Sequence, residues 1–70
     1  MTRHPLNLKV NGEWKKYSCV ACICIYDNIH WKDLQHDEPV LYFQQRRKSK
    51  GSFIVRENAI PLSQITYMSY

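Results

Sequence analysis

Leu6, Leu8 and Val10 alternate with Asn7, Lys9 and Asn11, and Asn11-Gly12 follows at once. Period-two alternation marks a strand with one buried face, since successive side chains point to opposite sides of the backbone. Asn-Gly is the strongest short hairpin signal, because both residues accept the positive φ of a type I′ turn. The chain therefore opens with an antiparallel hairpin, and the rest must supply the sheet partners that bury Leu6, Leu8 and Val10.

The return strand starts at Glu13-Trp14 and extends towards Tyr26, which is long for one strand, so a bend or bulge is expected near Ser18. Beyond it, Cys19, Ala21, Ile23 and Ile25 would line one face and Val20, Cys22, Cys24 and Tyr26 the other. A strand apolar on both faces is expected at the centre of a barrel or between packed layers, with its thiols buried. Asp27 or Asn28 can cap a short helical turn within 29–37, in which Trp31 and Leu34, three apart, share a face. Val40 to Gln45 reads as a third strand and Phe53 to Val55 as a fourth. The polar run Arg46 to Gly51 between them reads as a hairpin loop. Glu57 to Ala59 turns the chain, Leu62 to Gln64 forms a tight turn after Pro61, and Ile65 to Tyr70 is a last strand.

This layout is all-β, and its strand spacing from Leu6 to Tyr70 resembles the small five-stranded barrels of the Src-homology-3-like and Sm-like architectures. The resemblance implies a fold and no function. Residues 1–5 are expected to form a flexible tail and 6–70 a single domain. The N-terminus lacks the apolar run of a signal peptide, and no stretch reaches the eighteen apolar residues of a membrane span. A cytoplasmic location is expected, and three cysteines, an odd number, agree with a reducing compartment.

Ten Lys and Arg against six Asp and Glu leave a net charge of +4, which favours polyanions or acidic protein surfaces as partners. The charge is polarised: residues 44–56 carry five bases and no acid, and residues 27–38 carry four acids and one lysine. Arg46, Arg47, Lys48 and Lys50 concentrate four cations at the tip of the expected hairpin, and guanidinium forks match phosphate oxygens. Lys15 and Lys16 would extend that surface if they lay on the same side. Trp14 and Trp31 sit beside a turn and in an irregular segment, where a large aromatic can serve as a binding anchor.

Enzymatic chemistry has no carrier. The two glycines, Gly12 and Gly51, are each explained by a turn, which leaves no phosphate-cradling loop, and no serine sits in a nucleophile elbow. Cys19 and Cys22 have a knuckle-like gap, and His30 and His36 follow, so a zinc set can be written. Its flanks are Val, Ala and Ile where a knuckle needs turn residues. No cofactor is expected. The sequence thus points to a small binding module, first for nucleic acid through the basic segment. The alternative is a protein-interaction adaptor or inhibitor docking on a larger machine, with homodimerisation through an edge strand open to either.

Overall fold

The computed structural model describes residues 5–31 and 33–70, so most of the expected tail, residues 1–4, lies outside the described residues. The opening hairpin forms as its alternation requires. β1 (Leu6–Val10) pairs with β2 (Glu13–Tyr17), and Asn11 and Gly12 turn the chain at φ +51° and +83°. Leu6, Leu8 and Val10 are buried. The expected break also appears: β2 ends at Tyr17, Cys19 takes φ +56°, and β3 (Val20–Tyr26) begins in a different sheet.

Two further hairpins follow. β4 (Ile29–Trp31) and β5 (Leu34–His36) form a short one, and β6 (Val40–Ser49) and β7 (Ser52–Pro61) form one of ten residues a side. A 3-10 turn at Leu62–Gln64 then leads into β8 (Ile65–Ser69), which pairs with β1. The Leu62 N–H donates to the Pro39 carbonyl at 2.9 Å, and the Asn11 N–H to the Gln64 carbonyl at 3.0 Å. These bonds tie the last turn to the first hairpin and to the start of β6.

The protein is all-β, and its described residues form three sheets ordered β2-β1-β8, β3-β6-β7 and β4-β5. Strand alternation makes β6 the middle of the stack. Leu41 and Phe43 pack with Leu6, Leu8 and Val10, while Val40 and Tyr42, on the opposite face, pack with Ile29 and, at the rim, Leu34. Edge-to-face ring pairs extend both clusters: Tyr17 on Phe43 at 4.8 Å in the first, and Trp31 on Tyr42 at 5.0 Å in the second. Among the described residues no helix is long and apolar enough to cross a membrane.

Several expectations change. The five-stranded barrel is not confirmed, because among the described residues no sheet closes on itself: strand spacing fixes the order of strands along the chain but not whether the outer ones meet. The helical turn at 29–37 is a β-hairpin, in which Trp31 and Leu34 lie directly opposite each other. A three-residue spacing fits a helix face and a tight hairpin equally, and Ile29 and Trp31 choose the hairpin by packing on Val40 and Tyr42. The run Arg46 to Lys50 is strand as far as Ser49, with the turn confined to Lys50 and Gly51, and Phe53 to Ala59 all lie within β7.

The cysteine strand, lastly, is an edge rather than a centre. Cys22 and Cys24 are exposed, Cys19 is half-buried, and Ile25 is 62% exposed. A β-bulge is the local reason. Ala21 faces Gln44 and Cys24 faces Tyr42, so Cys22 and Ile23 together oppose Phe43, and Cys22 adopts φ +57°. The extra residue turns Ile23 onto the core and sends the Cys22 thiol outward.

Candidate nucleic-acid interface

β6 begins as core and ends as a basic arm. Val40 to Phe43 are buried, Gln44 and Gln45 half-buried, and Arg46, Arg47 and Lys48 exposed; every residue from Lys50 to Glu57 on the return is exposed as well. The body supplies buried apolar partners only as far as Phe43, and beyond Arg46 the ladder continues without them. Register stays constant over the ten pairs from Val40–Pro61 to Ser49–Ser52, and Lys50 and Gly51 close the tip at φ +48° and +81°. Those angles are the type I′ geometry that matches strand twist.

A belt of polar side chains marks the root of the arm. The Tyr42 hydroxyl donates to Glu57 Oε2 at 2.8 Å and accepts from Gln44 Nε2 at 2.8 Å. Asn58 Nδ2 donates to Gln45 Oε1 at 3.2 Å, and Gln45 Nε2 to the Ser18 carbonyl at 3.2 Å. The Arg46 N–H donates to the Cys19 carbonyl at 3.0 Å, which fastens β6 to the break between β2 and β3. Desolvation, assisted by the Glu57 carboxylate and opposed by the Gln44 amide, raises the Tyr42 pKa above the ordinary tyrosine value. The Tyr26 hydroxyl is raised too, first by its hydrogen bond with Cys24 and then by the Cys24 charge.

Alternation sorts the arm into two faces. One carries Gln45, Arg47, Ile54 and Arg56, and the other Gln44, Arg46, Lys48, Phe53, Val55 and Glu57. Beside the first face, where the arm meets Ser18 and Cys19, lies a groove of about 410 Å³ lined by Arg46, Arg47, Arg56, Gln45 and Ile54, with no carboxylate in its wall. Arg46 also reaches Gln44 Oε1 at 3.3 Å and the Cys22 thiol at 3.4 Å. Among the described residues, none of the arm's five cations forms an ion pair.

Of the residues singled out in the sequence, Arg46, Arg47, Lys48 and Lys50 come together on this arm. Arg56 belongs with them, opposite Gln45, and was overlooked as a site residue because it follows an apolar run. The other candidates lie elsewhere. Trp14 sits on the outer face of the first sheet, edge-to-face with Tyr67 at 5.3 Å and with the Lys9 ammonium 6.0 Å from its ring centre. Lys16 shares that outer face by register and Lys15 points the other way, both exposed. Trp31 belongs to the aromatic cluster of the third layer, with Tyr26 at 5.9 Å and Tyr42 at 5.0 Å.

The zinc set does not assemble. Cys19 borders the groove, Cys22 accepts from Arg46, His30 pairs with Asp37 at 3.2 Å, and His36 lies opposite Ile29. Among the described residues no group of three or more His, Cys, Asp or Glu is gathered as metal ligands. Compared with known protein families, curated proteins and solved structures, the chain shows no match.

Proposed function

We propose that the protein is a non-enzymatic nucleic-acid-binding module whose β6–β7 arm lies along the phosphate backbone. One observation carries the reading: Arg46, Arg47, Lys48, Lys50 and Arg56 stand exposed on a protruding two-stranded ribbon, unpaired by any carboxylate, and three of them line one acid-free groove. Guanidinium groups on a rigid ladder bind phosphate oxygens with little loss of side-chain freedom, because the fork is planar and pre-organised. Gln44 and Gln45 at the root hold the arm in place through their bonds with Tyr42, Ser18, Asn58 and Arg46. Phosphate contacts position the protein and carry no base preference by themselves.

The test is the salt dependence of binding. If the three groove arginines each neutralise one phosphate of duplex DNA, log K falls against log salt with a slope of about −2.7. Replacing Arg47 and Arg56 together with Gln flattens that slope by about 1.8, whereas replacing Lys15 and Lys16 leaves it unchanged. Fluorescence anisotropy with labelled duplex and single-stranded DNA and RNA reads all three. No binding to any of them at low salt overturns the proposal, as does a slope that ignores Arg47 and Arg56; recovery of one stoichiometric protein partner after nuclease treatment would then favour the adaptor reading.

A further inference from the structure

The arm has a second property that nucleic-acid binding does not use. β7 pairs with β6 on one side and, among the described residues, with no strand on the other. Its outward backbone groups can be assigned from the turn. Ser49 and Ser52 close a two-residue hairpin, so Ser52, Ile54 and Arg56 direct their N–H and C=O groups to β6, and Phe53, Val55 and Glu57 direct theirs outward. On this same stretch stand Phe53, Ile54 and Val55, 73%, 54% and 48% exposed.

Every other edge carries a device that discourages pairing. β2 presents Lys15 and Lys16, β3 is bulged at Cys22, β8 shifts register against β1 near Lys9 and Val10, and β4 and β5 are three residues long. β7 has no bulge from Ser52 to Ile60, its charged residues Arg56 and Glu57 lie beyond the apolar run Phe53 to Val55, and its proline, Pro61, lies at the far end in the body. A long, regular edge with three consecutive exposed apolar residues is covered best by another strand.

We propose that the cover is β7 of a second copy, paired antiparallel about a two-fold axis through Ile54. Charge repulsion and apolar matching together choose this register. An axis through Arg56 or Glu57 would set like charges directly opposite, and one through Val55 would place Ile54 against Arg56 and Phe53 against Glu57. The axis through Ile54 sets Ile54 against Ile54 and Phe53 against Val55 of the second copy, twice over. Phe53 and Val55 are the residues whose backbone groups point outward, so each such pair exchanges two hydrogen bonds. The two sheets of three become one of six. Because the axis is normal to the sheet, the Arg47 and Arg56 faces of both copies lie on the same side. The pairing itself needs no nucleic acid and stands or falls apart from the function proposed above.

Sedimentation equilibrium of the nuclease-treated protein at high salt, which screens the clustered arginines, is expected to show a monomer–dimer equilibrium. Val55→Pro removes an N–H that β6 does not use, so it is expected to weaken dimerisation at least tenfold and leave the circular dichroism spectrum intact. Val55→Lys makes the same test by charge if the proline variant fails to fold. Register is read by Ile54→Cys: directly opposed residues of a non-hydrogen-bonded pair have Cα atoms about 4.5 Å apart, within disulfide range. Mild oxidation is expected to join two copies of the tryptic peptide 51–56 through that position. The proposal is overturned by a single monomeric species up to about 1 mM, an association near −4.1 kcal/mol being the weakest that would still register. It is overturned equally by a dimer that neither Val55 variant weakens, or by an Ile54→Cys dimer without the 51–56 cross-link.

Discussion

Phe43 and Phe53 occupy the two strands of one hairpin, and the structure gives them opposite environments: Phe43 is fully buried and Phe53 is 73% exposed. Phe43→Leu removes the edge-to-face contact with Tyr17 at 4.8 Å, an interaction of about 0.5–1.5 kcal/mol beyond area burial. It also leaves unfilled volume between β1 and β6, which brings the expected cost to roughly 1–3 kcal/mol. In a domain of this length about 2 kcal/mol lowers Tm by roughly 8–16 °C. Phe53→Ala, on the arm, is expected to change stability by no more than about 0.5 kcal/mol at low protein concentration. Urea unfolding followed by tryptophan fluorescence reads both variants, because Trp14 and Trp31 report on the first and third layers. Equal losses, or a Phe53→Ala loss above about 2 kcal/mol in dilute monomer, would refute the assignment of β6 to the core and of the arm to solvent.

Two further outcomes follow from single residues. Tyr42→Phe removes a hydroxyl that bonds both Glu57 and Gln44, at an expected cost of about 0.5–1.5 kcal/mol in thermal unfolding. Because the folded-state pKa of Tyr42 is raised, its contribution is full below the unfolded value of about 10 and is lost as pH rises through the folded value, so the alkaline fall in Tm is shallower in the variant. Cys22 and Cys24 are expected to react with a thiol reagent in the native state faster than half-buried Cys19, and Cys22→Gly, which relieves φ +57° at the bulge, to be neutral or stabilising; a destabilised Cys22→Gly protein with slow thiols would return the cysteines to the core.

What the sequence revealed was local. Leu6, Leu8 and Val10 with Asn11-Gly12 specified the first hairpin, and the turn after Pro61 and the break near Ser18 were likewise written in neighbouring residues. The bulge at Cys22 was not legible, because YSCVACICIYD alternates as cleanly in a central strand as at an edge. Only the pairing with Gln44 and Tyr42 decides between them. The arm was read as a loop for a related reason. From Arg46 to Ser52 the chain is polar, so burial does not mark those residues as strand and no apolar pattern betrays the ladder. Its cations Arg46, Arg47, Lys48 and Lys50 were visible as a cluster, whereas Arg56 joins them only through the register that Lys50-Gly51 imposes.

Amide chemical-shift mapping during titration with a short DNA duplex at low salt reads directly whether the arm is the surface that meets nucleic acid. Shifts are expected to centre on Gln45 to Ser49 and Ser52 to Arg56, with the arginine side-chain N–H signals of Arg46, Arg47 and Arg56 among the largest. Shifts centred instead on Trp14 and Tyr67, or on the Trp31 cluster, with the arm silent, would contradict the role proposed for the arm.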